Sequence, residues 1–243
     1  MKKPNLIFYI IIILFSVSAI SFPQSKAKAD KTIQVITKLI EKCQNTDWML
    51  YDILFDGMPY KEYNTPFNEN SNKNIEHSLF SKRDQYFKGE FGIDPRSDLS
   101  KKLIEPLDNE FIRMSSENPE PQDSMNAISI KQREIGVVYV YVFINKKAVE
   151  GNQFTDEKNP DAALVTKINH AFRDSCNWDS YFLAFGNWKN AEHDSKGYTF
   201  KFKHYSGTPY IDNFVVVLTG VKSRVIELMR KINWDVLNKA ITE

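Results

Sequence analysis

Residues 136–144 read Gly-Val-Val-Tyr-Val-Tyr-Val-Phe-Ile, a run in which apolar side chains occupy both alternating faces of an extended chain. β-branched and aromatic residues favour strands, and a strand with two apolar faces lies in the interior of a sheet that is covered on both sides. Phe214–Leu218 has the same character. The sequence therefore predicts two central strands, and the other elements are placed around them.

The C-terminal half adds two shorter strands and two helices. Tyr181–Phe185 predicts a short strand, and Tyr198–Tyr205 alternates aromatic with lysine-bearing positions, which is typical of an edge strand. Asp161 can cap a helix whose apolar residues share one face, namely Leu164, Ile168, Ala171 and Phe172. A long helix after Gly220 has an apolar face made of Val225, Leu228, Met229, Ile232, Leu237 and Ile241.

From Gly136 onward the predicted order of elements is β-α-β-β-β-α. This order indicates an α+β fold, with a mostly antiparallel sheet and helices on one face. Many unrelated proteins share such an order, so it predicts a fold without predicting an activity.

The N-terminal half is predicted to be helical and partly irregular. A first helix places Ile33, Ile36, Ile40 and Cys43 on one face, and Trp48–Leu54 is interpreted as a further helical segment. Residues 57–96 have no sustained period. A helix is expected from Ser97, with a break at Pro106.

Three regions are predicted along the chain. Residues 1–29 form a signal peptide, residues 30–123 form the helical and irregular N-terminal region, and residues 124–243 form the α+β domain. The Pro-rich stretch that ends at Asp123 marks the second boundary. The alternative is one compact domain that covers residues 30–243.

The N-terminus has the layout of a secretory signal. Two lysines precede an apolar run over residues 6–20, Pro23 follows, and Ala27-Lys28-Ala29 offers small residues for a signal peptidase. We expect cleavage after Ala29 and a periplasmic or secreted protein. The alternative is an uncleaved anchor, although the run is short for a membrane span of about 20 residues.

Charge restricts the classes of partner. The chain has 32 basic and 31 acidic residues, and four of the lysines lie in the signal segment, so the remaining chain has 28 basic and 31 acidic residues. This balance argues against a nucleic-acid binder, which needs a concentrated basic face. It also predicts no membrane binding beyond the signal segment.

The two cysteines, Cys43 and Cys176, are predicted to form a disulfide, because an even number of cysteines in an exported chain favours pairing. Two buried free thiols are the alternative. A reactive Cys176 paired with His170, His193 or His204 matches no local signature of a cysteine hydrolase.

The remaining sequence predicts no metal, cofactor or catalytic residue. The four histidines lack the spacing of a metal site. Glu192, His193 and Asp194 are adjacent, and adjacent residues rarely converge on one ion. The interpretation therefore favours a protein that is not an enzyme.

Aromatic residues with a polar group cluster near predicted loops and strand ends; these are Trp48, Tyr51, Trp178, Tyr181, Trp188, Tyr198, Tyr205 and Tyr210. The loop over residues 187–196 carries Trp188 beside Glu192 and Asp194, and we predict that these three residues contact a partner protein.

Two functional hypotheses follow from these observations. The first is an exported, non-enzymatic protein that recognises another protein through aromatic loops, in the manner of an inhibitor or immunity protein. The second is a cell-envelope hydrolase whose site is assembled from scattered histidines, such as His204, and nearby carboxylates. The oligomeric state is left open.

Overall fold

The computed structural model describes residues 27–59, 85–117, 122–150, 153–154, 158–169, 176, 178–188, 191–203 and 210–242. The predictions on most of residues 1–29 and on His77, His170, His204 and Tyr205 lie outside these residues.

Six helices and eleven strands form the described part of the chain. The helices are α1 (27–41), α2 (Asp98–Leu103), α3 (Glu105–Glu117), α4 (Gln122–Gly136), α5 (Lys222–Lys231) and α6 (Asp235–Thr242). The strands are β1 (Trp48–Phe55), β2 (Met58–Pro59), β3 (Gln85–Ile93), β4 (Val137–Ile144), β5 (Ala148–Glu150), β6 (Gln153–Phe154), β7 (Leu164–Ile168), β8 (Ser180–Gly186), β9 (Glu192–Asp194), β10 (Gly197–Thr199) and β11 (Asn213–Gly220).

The strands form two antiparallel sheets. The main sheet has the order β2-β1-β3-β4-β11-β8-β7-β6, and the small sheet has the order β5-β10-β9. Every strand pair is antiparallel, so the predicted α+β class with a mostly antiparallel sheet is confirmed. Within the described ranges, no helix is both long enough and apolar enough to cross a membrane.

The main core lies between the helices and one face of the main sheet. Alternate residues of β4, from Val138 to Ile144, are buried there, and so are Val216 and Leu218 of β11. Helix α1 contributes Ile36 and Ile40 to the same core. Since β4 and β11 pair along their whole length, the two segments predicted as central strands form the middle of the fold.

A second core lies on the opposite face of the main sheet, beneath the small sheet. Trp188 and Phe200 pack there against Val215 and Val217 of β11, with their ring centroids 5.0 Å apart. All eight residues of β11 are buried because both of its faces are covered. The small sheet was not foreseen as a separate layer.

Two predicted helices are strands. Trp48–Leu54 belongs to β1, and the segment that begins at Leu164 is β7, so the predicted order β-α-β-β-β-α is wrong at its second element. Residues 85–93, placed in the irregular region, form β3 and pair with both β1 and β4. Helix α4 was not predicted.

Other local predictions are confirmed. The side chain of Ser97 accepts a hydrogen bond from Ser100 N and caps α2, and the helix ends at Leu103, three residues before Pro106. Ile36 and Ile40 of α1 are buried as expected, and so is Cys43 in the turn that follows the helix. The prediction of one long C-terminal helix is wrong, since a break at Ile232–Trp234 divides it into α5 and α6.

The main sheet crosses the boundary predicted at residue 123. β3 precedes that boundary and β4 follows it, and the two strands pair from Gln85 opposite Ile144 to Gly92 opposite Val137. Strands from both predicted regions therefore share one sheet and one core.

Candidate recognition surface

Trp188 is not the exposed contact that the sequence suggested. It is 1% exposed, and it packs in the second core against Phe200. The polar residues of its loop predict an exposed turn. The Trp188 side chain instead packs between the small sheet and the main sheet. The expectation of an exposed Trp188 is therefore wrong.

Glu192 and Asp194 are exposed, as expected, on the edge strand β9. The Glu192 carboxylate pairs with the Lys201 ammonium at 2.5 Å. The Asp194 carboxylate accepts hydrogen bonds from the backbone N–H groups of Lys196 and Gly197. Asp194 thus forms the turn between β9 and β10, and its role as a partner contact stays a prediction.

Cys43 and Cys176 do not form the predicted disulfide; both are free and buried. The Cys43 thiol lies 3.5 Å from the carbonyl oxygen of Leu39 in α1. The Cys176 thiol lies 3.9 Å from the carbonyl oxygen of Ile130 in α4. Each thiol is packed against a different helix, in agreement with the alternative of two buried thiols.

His193 is the histidine that lies within the described residues. It is exposed on β9, and its ring centroid is 4.5 Å from that of Tyr198. Among the residues that the structure describes, no group of three histidine, cysteine, aspartate or glutamate side chains could hold a metal ion. The hypothesis of a site built around His204 is not tested.

The aromatic residues predicted as contacts differ in how much of each side chain is exposed. Four of them are buried, namely Trp48, Trp178, Tyr181 and Trp188. Tyr51 is 57% exposed and Tyr210 is 48% exposed. The exposed aromatic contact surface of the described chain is therefore not in the 187–196 loop.

Tyr51 and four half-buried rings share the second face of β1, β3 and β4, which we call the aromatic face; the four are Tyr86, Tyr139, Tyr141 and Phe143. The small sheet covers this side of β11 and β8, whereas residues on this side of β4 are only half-buried. The aromatic face is therefore a shallow surface supported by strands.

The rings of the aromatic face contact one another in a row. Along β4 the ring centroids of Tyr139 and Tyr141 are 6.3 Å apart, and those of Tyr141 and Phe143 are 6.2 Å apart. Tyr86 lies beside the last two, at 5.8 and 5.2 Å. Trp178 lies at the end of the row, in an edge-to-face arrangement with Tyr139 in which the ring centroids are 5.9 Å apart. Packed rings of this kind lose little entropy on binding.

One charged pair lies within the aromatic face. The Lys88 ammonium is 4.2 Å from the ring centroid of Tyr139 and also bonds the Glu90 carboxylate. Both side chains are partly buried. The lysine is held by a cation–π contact and an ion pair, so it adds fixed polarity to a largely apolar surface.

A β-bulge positions Tyr51. The register between β1 and β3 shifts between Leu50 and Asp52, so Tyr51 has no direct partner on β3. Its ring lies over Gly92, where an added Cβ would be 2.2 Å from the tyrosine hydroxyl oxygen. Bulges re-aim side chains and are frequent near functional sites. Here the bulge and the missing side chain of Gly92 together hold an exposed ring on the sheet.

The charged group that affects the Tyr51 phenol is the nearby Asp94 carboxylate. Burial raises the pKa of the Tyr51 phenol, and the nearby Asp94 carboxylate raises this pKa further. The hydrogen bond from Arg96 holds the pKa of Asp94 below its ordinary value. Tyr51 is therefore a neutral hydrogen-bond donor at physiological pH.

The sequence contained part of the signal for the aromatic face. Tyr139, Tyr141 and Phe143 alternate with valines in the quoted run, which places three rings on one side of one strand. Tyr86, Lys88 and Glu90 alternate with Phe87, Gly89 and Phe91 in the same way. The signal was missed because residues 85–93 were not recognised as a strand.

Comparison of the chain with protein-family models, with curated proteins and with solved structures gave no match.

Proposed function

We propose that this protein is an exported, non-enzymatic binding protein that recognises another protein through the aromatic face. The observation that carries the proposal is the row of rings on β3 and β4, which the small sheet leaves half-exposed while it covers the same side of β11. Tyrosine-rich surfaces on a rigid support are favoured at protein interfaces.

The composition of the aromatic face supports a protein as the partner. Tyr51, Tyr86 and Tyr139 present both an apolar ring and a hydroxyl group, so they can bury area and still form hydrogen bonds. Lys88 and Glu90 neutralise each other within the surface. The contact therefore relies on shape and on aromatic anchors. Glu192 is a proposed secondary contact on the small sheet.

The test uses two matched tyrosines at opposite ends of β4. Tyr51 lies over Gly92, which pairs with Val137 at the start of β4. The carbonyl of Tyr210 accepts a hydrogen bond from Asn145, the residue after the end of β4. The two rings have similar exposure, so their substitutions to alanine are comparable.

We expect affinity capture with the wild-type protein, followed by mass spectrometry, to yield a partner whose binding is retained by Tyr210→Ala and weakened by Tyr51→Ala. If Tyr51 is an anchor, the loss is about 2 kcal/mol in binding free energy, roughly 30-fold in Kd. Calorimetric titration of the purified pair measures it. Equal binding by the two variants would overturn the assignment of the aromatic face.

A further inference from the structure

The outer edge of β1 is the longest strand edge without a neighbour in the part of the chain that the structure describes. β2 pairs with Leu54 and Phe55 only, so Trp48–Ile53 pairs with β3 on one side and with no described strand on the other. The strand at the opposite end of the main sheet, β6, has two residues, and each edge strand of the small sheet has three. An unpaired edge offers its N–H and C=O groups to other chains.

The pairing with β3 determines which backbone groups lie on this edge. In an antiparallel pair, every second residue directs its N–H and C=O groups away from the neighbouring strand. The hydrogen bonds from Asp94 N to the Asp47 carbonyl oxygen and from Asp56 N to the Tyr86 carbonyl oxygen fix this alternation at the two ends of β1. The outward residues before β2 are therefore Trp48, Leu50 and Ile53.

The first two outward N–H groups are bonded to side chains of the turn before β1. The side-chain oxygen of Asn45 accepts a hydrogen bond from Trp48 N at 2.9 Å, and Asn45 N donates to the Trp48 carbonyl oxygen at 3.1 Å. The side-chain oxygen of Gln44 accepts a hydrogen bond from Leu50 N at 3.2 Å. Both donors are thus occupied without a neighbouring strand.

The third outward N–H group is bonded within the strand. Ile53 N donates to the Asp52 carboxylate at 2.8 Å. Between Leu50 and Ile53, the bulge at Tyr51 interrupts the regular spacing that a second strand would need. A strand that joined β1 would have to displace three side chains and match an irregular edge. Charged side chains and bulges are features that discourage such pairing.

We propose that Gln44, Asn45 and Asp52 close the edge of β1 against pairing with β1 of a second copy of this chain. The composition of the strand identifies the second copy as the excluded partner. β1 reads Trp-Met-Leu-Tyr-Asp-Ile-Leu-Phe, and Asp52 is its single charged residue. Segments with high β propensity and low charge pair readily with copies of themselves. The inference is independent of the proposed function, because it concerns backbone donors and not the rings of the aromatic face.

The test removes two of the three side-chain acceptors. The double variant Gln44→Met with Asp52→Ala leaves the N–H groups of Leu50 and Ile53 able to bond another strand. Asp52 lies opposite Glu90 on β3, so its removal takes away a like-charge contact. In sedimentation equilibrium of the full chain, we expect the double variant to form dimers with a dissociation constant at least about tenfold below that of the wild type.

Two controls separate the acceptors from charge and from apolar character. Asp52→Asn removes the same charge but keeps a side-chain oxygen that can accept from Ile53 N. Gln34→Met with Asp30→Ala makes the same exchange at two exposed positions of α1. Both controls should associate no more than the wild type. Dimerisation of either control to the same extent as the double variant would overturn the proposal, and so would a double variant that associates no more than the wild type.

Amide hydrogen exchange determines whether the dimer forms at β1. The amides of Leu50 and Ile53 should exchange more slowly in the dimer of the double variant than in its monomer at low concentration. Equal exchange in the two states would indicate a dimer formed elsewhere and would overturn the proposal. If circular dichroism shows that the double variant is unfolded, Asp52→Ala alone is compared with Asp52→Asn by the same two criteria.

Discussion

At the scale of single residues, α1 packs on the sheet only because position 89 carries no side chain. A Cβ at Gly89 would lie 2.5 Å from Cγ2 of Ile40 and 2.9 Å from the ring of Phe91. Neither neighbour can withdraw easily, since both are buried in the main core. Glycine within a strand often marks such a close approach.

Gly89→Ala should therefore destabilise the protein. We expect a loss of about 1–3 kcal/mol in the free energy of unfolding, which is the usual cost of an overpacked core. Urea denaturation followed by circular dichroism measures it. The control is Gly136→Ala, whose Cβ would meet mainly the flexible end of Ile104 at 3.0 Å. Similar losses for the two variants would contradict the close approach at Gly89.

The Cys43 thiol is predicted to be unreactive in the folded protein. Burial raises its pKa to about 12, although the nearby Arg224 guanidinium partly opposes this rise. The thiolate is the reactive form, so alkylation at pH 8 should be negligible until the chain unfolds. After iodoacetamide labelling without reductant, intact mass should show two modified cysteines for the protein in urea. The folded protein should carry no modification at Cys43. No labelling in urea would instead demonstrate the disulfide.

At the scale of elements, the small sheet is attached to the main sheet by a buried cluster in which Trp188 is the largest side chain. Trp188 is among the largest fully buried residues, and it joins the end of β8 to Phe200 just after β10. The side-chain amide of Asn213 adds a contact beside the small sheet, because it bonds both backbone groups of Lys146, two residues before β5.

Trp188→Ala should cost about 3–5 kcal/mol of stability, as is typical when a large buried aromatic residue is removed. Tyr210→Ala, an exposed aromatic substitution, should stay within about 0.5 kcal/mol. Urea titrations of the two variants and the wild type measure these changes in the free energy of unfolding. A small loss for Trp188→Ala would mean that the loop packs differently from the structure.

Arg224 connects α5 to the segment that follows α1, and a partly buried ion pair with Glu227 within α5 holds its guanidinium. The Arg224 guanidinium bonds the Glu227 carboxylate at 2.7 Å and also donates to the carbonyl oxygen of Cys43. Burial by itself would raise the pKa of Glu227, but hydrogen bonds from Arg224 and Lys231 outweigh it and hold the pKa below the ordinary value of 4.5.

The interaction between Arg224 and Glu227 should weaken at acidic pH. Because the folded-state pKa of Glu227 is depressed, its stabilisation is fully present above pH 4.5 and is lost as the pH falls through the folded-state value. Glu227→Gln should lower stability at neutral pH and reduce the acid dependence below pH 4.5. Melting temperatures between pH 2 and pH 7 check this, with Glu41→Gln on the exposed side of α1 as the control. An unchanged pH profile for Glu227→Gln would contradict it.

The elements also show what the sequence could and could not specify. The apolar runs of β4 and β11 identified the sheet interior, because such strands are recognisable without their neighbours. The apolar stretch Trp48–Leu54 predicts a helical segment, but pairing with β3 makes it the strand β1. In β7 the spacing of Leu164 and Ile168 suggested a helix, although the segment is only five residues long.

At the scale of the whole molecule, the aromatic face exists only because strands from distant parts of the chain are paired. Tyr51, Tyr86 and Tyr139 belong to three strands that the sequence separates by long connections. Periodicity predicts which side of a strand a residue occupies, but not which strand lies next to it. The candidate site was therefore only partly predictable, through the alternation in β4.

The same pairing predicts that the chain folds as one cooperative unit. A fragment of residues 124–243 would lose β3, which pairs with β4 over most of its length, and α1, which buries Ile36 and Ile40 in the main core. The fragment would expose the edge of β4 and leave the main core uncovered, and a typical domain stability of only about 5–15 kcal/mol leaves little margin for such losses. We expect the isolated fragment to lack a cooperative urea transition by circular dichroism, while the full chain shows a single transition with coincident fluorescence and circular dichroism curves. A fragment that unfolds cooperatively, or two separate transitions in the full chain, would instead support a domain boundary at residue 123.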